Sequence, residues 1–245
     1  MAHHRIGIVW PEAVQAGHLV ELEQFVPPGL ELDIEPVDSA PELGPEGITL
    51  GHVEGIASDP AIGRAARRLV QRGAQAVAYG CTSGSYVLGP DGDAAIAADM
   101  HTAAGVPATT TSTAAAAALR ELGVRRVAVL SPHLDALNER LRAYLESSGF
   151  AVVNMIGLNR RGDIEAIEPG ETRDLVAAGV DTPEAQAIFI SCTGLRTAAI
   201  IDDLEAAISK PIVTANQATL WRAAQLAGAP ATAPGRGRLL VASPS

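Results

Sequence analysis

The chain has 245 residues, a formal net charge of −10 and only two cysteines. This length fits one large or two modest domains. The acidic charge argues against a nucleic-acid binder, and two cysteines do not make a disulfide framework. No apolar run is long enough for a membrane span, and the first residues lack the apolar stretch of a signal peptide. We therefore expect a cytoplasmic protein with thiol cysteines and no membrane or nucleic-acid partner.

Short apolar runs alternate with longer amphipathic patterns along the chain. The predicted strands are Arg5–Trp10, Glu31–Val37, Ala74–Tyr79, Pro107–Thr110, Arg126–Leu130, Ala151–Ile156, Ala187–Ser191 and Pro211–Thr214. Several are nearly continuous Val, Ile and Ala runs, typical of parallel strands buried on both faces. The predicted helices include Ala61–Gly73, Leu134–Ser147, Ala199–Ile208 and Gln217–Ala227. This alternation predicts an α/β protein with parallel sheets and helices on their faces.

A weak internal repeat divides the chain. Gln75–Ser83 matches Gln186–Gly194, and each copy carries Cys-Thr after the third predicted strand of its half. The period is too long for a solenoid. The repeat therefore predicts two similar domains, each a four-stranded parallel sheet flanked by helices and related by a pseudo-twofold. We expect residues 1–112 plus 216–245 to form the first domain and residues 113–215 the second.

Two segments stand apart from the regular alternation. Pro27–Pro45 is rich in proline and acidic residues, and we expect it to hold one strand between surface loops. The tail Ala229–Ser245 contains a Gly- and Arg-rich stretch, Gly235–Arg238, followed by the apolar residues Leu239–Val241. We expect this tail to dock as a closing strand or an extended segment.

Cys81 and Cys192 each follow a predicted strand and precede a predicted helix or turn. In open α/β sheets this edge is where ligands bind. Free backbone N–H groups there lower the pKa of a thiol and favour a bound carboxylate. The adjacent residues add hydroxyl donors and a close backbone approach: Thr82, Ser83, Thr193 and Gly194. If the halves pack face to face, the two thiols flank one substrate; the alternative is that each cysteine is a small buried hydrophobe.

Several cofactor and catalytic motifs do not occur in the sequence. The two cysteines stand alone rather than in a CxxC pair, and the histidines show no HExxH or other metal-ligand spacing. The segment Gly80–Gly84 resembles neither a Walker loop nor GxGxxG, and no G-x-S-x-G elbow is present. We therefore expect no metal and no nucleotide cofactor.

Five segments together resemble the aspartate/glutamate racemase superfamily, and within it the branch of arylmalonate decarboxylase and maleate cis-trans isomerase. They are Cys81–Ser83, Leu122–Leu130, Asn138–Leu141, Ser191–Leu195 and Pro234–Leu239. The resemblance spans nearly the whole chain. It implies two α/β domains with the active site between them, no metal or organic cofactor, and possible homo-oligomer formation.

The resemblance also implies roles for individual residues. Cys192 matches the cysteine that the decarboxylase and the isomerase share. Cys81 matches the first cysteine of isomerases and racemases, where the decarboxylase has glycine. Thr82 and Ser83 match hydroxyls that bind a carboxylate or oxyanion, and Pro11 falls where the first loop approaches the substrate.

The chain also departs from the branch at two places. Members of the branch have a substrate-contacting tyrosine at or beside the position of His133. Glu12 lies in a first loop that lacks the asparagine-rich motif of maleate isomerases. His133 either binds or protonates an anionic substrate or is a solvent-exposed loop histidine. Glu12 faces either the pocket or water, and the role of Arg161 stays open.

These features favour a cofactor-independent isomerase or racemase that uses two thiols on a small carboxylic or dicarboxylic acid. One alternative is a decarboxylase of a substituted malonate with Cys192 as proton donor, which leaves Cys81 superfluous. Another is a non-catalytic protein that binds small acids on the same scaffold.

Overall fold

Two all-parallel four-stranded sheets form the centre of the computed structural model, which describes residues 4–11, 16–37, 43–177 and 182–241. The strands are β1 (His4–Trp10), β2 (Leu30–Pro36), β3 (Ala76–Tyr79), β4 (Ala108–Thr110), β5 (Arg126–Ser131), β6 (Ala151–Gly157), β7 (Ala187–Ile190) and β8 (Ile212–Thr214). The strand orders are β2-β1-β3-β4 and β6-β5-β7-β8. Each predicted strand is present to within two residues at either end. The predicted fold class is therefore confirmed.

Helices lie between the strands along the chain. They are α1 (Ala16–Phe25), α2 (Leu50–Ala57), α3 (Ala61–Gln71), α4 (Thr82–Tyr86), α5 (Gly89–Ala104), α6 (Thr111–Glu121), α7 (Asp135–Ser147), α8 (Pro169–Leu175), α9 (Ile201–Ile208) and α10 (Ala215–Leu226). The four predicted helices correspond to α3, α7, α9 and α10. A 3-10 turn, Ile164–Ala166, lies between β6 and α8.

The sequence repeat is visible as a repeated hydrogen-bond pattern at the start of each third strand. The backbone N–H of Gln75 donates to the Arg5 carbonyl, and that of Gln186 donates to the Arg126 carbonyl, each at 2.8 Å. Each glutamine side chain in turn accepts from the backbone N–H of the same arginine, at 3.2 Å for Gln75 and 2.9 Å for Gln186. The repeated glutamine thus fixes the same strand register in both sheets.

The core is mainly aliphatic, as a composition with 3% aromatic residues predicts, although the few aromatic side chains are buried in it too. Both faces of the central strands are buried; Ile6, Ile8, Val127 and Ile188 have no exposed surface. Helix α10 follows the last strand of the second sheet but packs against β1, β3 and β4 of the first. The domain limits at residues 112 and 216 stay a prediction.

Buried polar contacts join the two halves. Asp93 of α5 accepts hydrogen bonds from the Thr110 hydroxyl, from the Thr113 hydroxyl at 2.6 Å, and from the Tyr144 hydroxyl of α7 at 2.6 Å. Near the sheet edges the Thr193 hydroxyl donates to the Gly80 carbonyl at 3.1 Å. These bonds set the two sheets against each other.

The tail docks, but among its described residues, 229–241, no β-strand forms. Residues Arg238–Leu240 form a 3-10 turn, and Leu239 and Leu240 are buried. The Asp202 carboxylate accepts the Gly237 N–H at 2.6 Å, and the Glu205 carboxylate accepts the Arg238 N–H at 2.8 Å. Because Gly237 has φ +82°, the chain bends here and its N–H groups meet side chains rather than a strand edge.

Candidate active site

The carboxyl ends of the central strands border a cavity of about 260 Å³ between the two halves. The first half contributes Pro11, Cys81, Thr82 and Ser83 to its lining, and the second half contributes His133, Cys192, Thr193 and Gly194. The structure therefore brings all eight residues singled out from the sequence to one cavity. Its volume suits a small acid rather than a nucleotide.

Cys81 lies two residues after the end of β3 and caps the N-terminus of the short helix α4 in an extended conformation. The backbone N–H of Gly84 donates to the Cys81 Sγ at 3.3 Å, and the Ser83 hydroxyl lies 3.7 Å from the same sulfur. Donors to sulfur stabilise a thiolate more than a thiol, and a thiolate is the form that removes a proton or attacks carbon. Thr82 is buried beside it, and its hydroxyl has no hydrogen-bond partner in the described part of the chain.

Cys192 is held differently from Cys81, although the two occupy equivalent positions in the repeat. Its φ is +103°, a conformation that non-glycine residues rarely adopt and that costs about 1–3 kcal/mol. The backbone N–H of Gly194 donates to its Sγ at 3.4 Å. A turn rather than a helix follows Cys192, whereas α4 follows Cys81.

Asn216, at the start of α10, supports the segment after Cys192. Its side-chain amide donates to the Thr193 carbonyl at 3.0 Å and to the Leu195 carbonyl at 3.5 Å, and Asn216 itself is buried. The sequence analysis missed Asn216. No motif marks it, because its role depends on α10 meeting a turn that lies more than 20 residues earlier in the chain.

Tyr86 is a fully buried phenol at the end of α4. Burial raises its pKa well above the ordinary value, and the neighbouring Cys192 and Cys81 raise it further. Tyr86 is therefore neutral at pH 7. Both cysteines that line the cavity therefore act on the same phenol.

His133 is buried, so the possibility of a solvent-exposed loop histidine is wrong. Neither of its ring nitrogens has a hydrogen-bond partner in the described part of the chain. Burial lowers the pKa of His133 to about 4, so the ring is neutral at pH 7. Asn138 holds the loop by donating to the His133 carbonyl at 2.9 Å.

Two more histidines line the cavity that the sequence analysis did not single out, His18 of α1 and His52 of α2. The His18 ring packs against Trp10 with 5.0 Å between centroids. Burial lowers the pKa of His18, which the nearby Glu165 partly offsets, and burial also lowers that of His52. Neither α1 nor α2 has a strong sequence pattern, so only the packed structure brings these rings to the site.

Arg161 does not line the cavity. Its backbone carbonyl accepts the Ile48 N–H at 2.7 Å, and its guanidinium donates to the Glu46 carbonyl at 3.2 Å. Arg161 thus joins two loops near the cavity, from the first and the second half. Glu12 lies outside the described residues.

Within the described ranges, no group of three or more His, Cys, Asp or Glu side chains has the arrangement of a metal site. No helix in those ranges is long and apolar enough to cross a membrane. The groups that the cavity offers to a substrate include thiols, hydroxyls, backbone N–H groups and imidazoles.

The sequence profile of arylmalonate decarboxylases matches residues 43–240. The chain belongs to the arylmalonate decarboxylase family. A relative, the arylmalonate decarboxylase of Bordetella bronchiseptica, is 39% identical over 179 residues, which is 71% of this chain and 74% of that protein. The maleate isomerase of Nocardia farcinica is 31% identical over 124 residues, about half of each chain. Both relatives belong to the branch that the sequence motifs indicate.

Solved structures of family members share the whole fold. A liganded arylmalonate decarboxylase variant, with one glycine replaced by cysteine and one cysteine by serine, matches with a TM-score of 0.84 and 31% identity over 97% of this chain and 98% of that one. The maleate isomerase Iso of Pseudomonas putida S16 also gives a TM-score of 0.84, at 22% identity, over 97% and 98% of the two chains. The second similarity concerns the fold alone.

Proposed function

We propose that this chain is a cofactor-independent isomerase or racemase that acts on a small carboxylic or dicarboxylic acid with Cys81 and Cys192 as its two reacting groups. The observation that carries the proposal is that both thiols line one cavity, each with a backbone N–H directed at its sulfur. A decarboxylation needs a single proton donor. A reaction at both faces of one carbon needs two groups, one that removes a proton and one that donates it.

In the racemase mode, one cysteine thiolate removes the α-proton of the acid. The C–H electron pair moves into the carboxylate to form an enediolate, and the thiol of the other cysteine protonates the opposite face of the same carbon. The thiol and the thiolate have then exchanged places, so the next turnover runs in the reverse sense. Thr82, Ser83 and nearby N–H groups stabilise the developing oxyanion charge.

In the cis-trans mode, the Cys81 thiolate adds to one alkene carbon of an unsaturated diacid and forms a C–S bond. The electron pair of the double bond moves to the neighbouring carbon and its carboxylate, and Cys192 protonates that carbon. The C–C bond rotates, Cys192 takes the proton back, and the C–S bond breaks to give the other alkene isomer. This mode uses the same two thiols in different roles.

The second candidate is decarboxylation of a substituted malonate, which the family match and the 39% identity to a decarboxylase favour. Loss of CO₂ leaves the C–C electron pair as an enediolate, and the Cys192 thiol protonates it. Cys81 is dispensable in this reaction. Whether the reaction requires Cys81 therefore distinguishes an isomerase or racemase from a decarboxylase.

The test is incubation of the full chain in D₂O with maleate, an aryl malonate and single enantiomers of α-hydroxy and α-amino acids. We expect deuterium at the α-carbon without CO₂ release, or fumarate from maleate, and loss of both activities in Cys81→Ala and in Cys192→Ala. Release of CO₂ that persists in Cys81→Ala would overturn the ranking in favour of the decarboxylase.

A third candidate, a non-catalytic binder of small acids, is tested by alkylation. If the thiols are catalytic, iodoacetamide modifies at least one of them faster than free cysteine, and a small diacid slows that modification. Ordinary reactivity at both cysteines, without protection by any acid, would remove the basis of the catalytic proposal.

We also propose a cytoplasmic location and a homo-oligomer. Subcellular fractionation checks the first. Light scattering on the purified chain checks the second, and a monomeric mass at every concentration would contradict it.

A further inference from the structure

The cavity is rich in histidine and contains no fixed positive charge. Among the described residues, three histidines line it, namely His18, His52 and His133. None of the described residues in its lining is Lys or Arg. The residues outside the described ranges contain neither Lys nor Arg.

Arginines in the loops around the cavity are engaged elsewhere. Arg160 pairs with Glu171 at 3.0 Å, and Arg196 pairs with Glu168 at 2.9 Å. Arg161 donates to the Glu46 carbonyl. An acid that enters the cavity therefore meets the hydroxyls, the N–H groups and the histidine rings, but no guanidinium.

Among the described residues, nitrogen atoms of two cavity histidines lack a hydrogen-bond partner. His133 Nδ1, His133 Nε2 and His18 Nδ1 are buried and have no hydrogen-bond partner in the part of the chain that the structure describes. Leaving such atoms without a partner is costly, so a buried orphan in a cavity points to a ligand that supplies the missing bond. A carboxylate oxygen accepts from a protonated imidazole with a charge-assisted bond.

We propose that His18 and His133 form a proton-linked anion subsite, in which an acid substrate binds together with a proton that the rings do not hold in the protein by itself. This rests on the proposed function, because it concerns the substrate of the same cavity. The two histidines take the role that arginine has in a permanently charged site.

The other titratable groups of the cavity affect whether His18 and His133 are protonated. Glu165 lowers the cost of protonating His18, and Asp163 lies in the same loop. His52, whose pKa burial also lowers, is the third histidine of the lining. Cys81 and Cys192 also line the cavity, and both act on the buried, neutral Tyr86. Without a ligand, burial keeps His18 and His133 neutral at pH 7; a carboxylate placed against them raises their pKa values and draws in a proton.

The experiment is calorimetric titration of the full chain with succinate, a diacid without an alkene, at pH 6.5, 7.0, 7.5 and 8.0. Two buffers of different ionisation enthalpy give the number of protons taken up. We expect uptake of about one proton per succinate and an affinity that falls about tenfold per pH unit for that proton. A pH-independent affinity without proton uptake, or no binding of succinate at any of these pH values, would overturn the subsite.

The variants His18→Gln and His133→Gln identify the protonated rings, and His101→Gln, an exposed histidine outside the cavity, is the matched control. We expect reduced proton uptake and weaker succinate binding in the cavity variants only. If a variant fails to fold, imidazole NMR titration of the wild-type chain with and without succinate gives the same answer. An unchanged histidine pKa on binding would contradict the proposal.

Alkylation of the two thiols in the same samples separates the two proposals. If succinate protects the cysteines without proton uptake, the histidine subsite is wrong and the two-thiol function stands. If the proton is taken up but neither thiol reacts or is protected, the subsite stands and the two-thiol function is wrong.

Discussion

At the residue scale, the site depends on groups whose chemistry the surrounding structure changes. An imidazole is ordinarily half-protonated near pH 6.5, but burial keeps His133 neutral far below that pH. A cysteine is ordinarily a weak acid, but at both thiols a backbone N–H donates to the sulfur. Each effect comes from one or two neighbouring atoms, so single substitutions test it.

His133→Gln should change how stability depends on pH. The pKa of His133 is 6.5 when unfolded and about 4 when folded, so the unfolded chain binds the extra proton as the pH falls below 6.5. Wild-type stability from this group is fully present above pH 6.5 and declines toward pH 4. Between pH 7 and pH 5 the loss is about 2 kcal/mol.

The measurement is urea unfolding of wild type and His133→Gln at both pH values. The stability difference between them should shift by that amount against the wild type at pH 5. Glu21, Asp93 and Glu205 have raised pKa values and act in the opposite direction, but they are common to both proteins and cancel in the difference. A difference that does not vary with pH would show that His133 is not desolvated.

Gly84→Ala should disturb the Cys81 thiol. An added Cβ would lie 2.7 Å from the Tyr79 hydroxyl and 3.1 Å from the Cys81 Sγ, so the sulfur or its neighbours must move. We expect at least a severalfold change in the iodoacetamide rate at Cys81. Gly170→Ala, in a helix where nothing lies near the added Cβ, is the control and should leave that rate unchanged.

At the element scale, the two repeated strand-and-turn units have the same plan but end differently. Cys81 leaves β3 in an extended conformation and enters a helix, whereas Cys192 leaves β7 at φ +103° and enters a turn. A strained residue keeps its conformation only where neighbours hold it. At Cys192 those neighbours include Thr193, bound to the Gly80 carbonyl, and Asn216, bound to the carbonyl of Thr193.

Asn216 is therefore a positioning residue for Cys192. Asn216→Asp keeps the side-chain shape but replaces the amide donor with an acceptor facing two carbonyls, so we expect a stability loss of about 1–3 kcal/mol. The alkylation rate and the thiol pKa of Cys192 should change, while those of Cys81 stay the same.

Asn138→Ala is the matched control, because Asn138 is a buried asparagine that holds a different loop through the His133 carbonyl. It should lower stability by a similar amount without a specific change in the alkylation rate or the thiol pKa of Cys192. Equal effects of Asn216→Asp on both thiols, or none on either, would reduce Asn216 to a general packing residue.

At the scale of the whole molecule, the relative placement of the two halves decides whether the two thiols act on one substrate. Asp93 is the buried centre of the polar contact that links α5 to α7, and burial raises its pKa while the Thr110, Thr113 and Tyr144 hydroxyls lower it. An unsatisfied carboxylate in this position is expensive, so the hydroxyls hold the halves in one arrangement.

Tyr144→Phe removes one of these donors, and we expect a loss of about 1–3 kcal/mol in urea unfolding. Tyr86→Phe is the control, because the Tyr86 hydroxyl is buried and has no hydrogen-bond partner in the described residues. Its removal should leave stability unchanged or raise it. Equal losses in the two variants would mean that the Asp93 bond contributes nothing specific.

Much of this organisation is readable in the chain. Strands rich in Val, Ile and Ala, such as Arg126–Ser131, can be predicted from the sequence, because a strand that is buried on both faces consists largely of apolar residues. Helices α1 and α2 were not predicted, because neither has acidic residues in its first turn or basic residues in its last turn, and both are short. His18 and His52 were missed with them.

The sequence by itself determined the fold class and the repeat, because strand periodicity and the repeated Cys-Thr are local properties. It also pointed to eight of the residues that line the cavity, of which Pro11 and His133 came only from the family resemblance. Only the tertiary structure decided that the two cysteines share one cavity, that His133 is buried and neutral, and that Asn216 supports Cys192. Burial, pKa and hydrogen-bond partners depend on which distant segments pack together. These properties of a single residue cannot be read from its neighbours in the sequence.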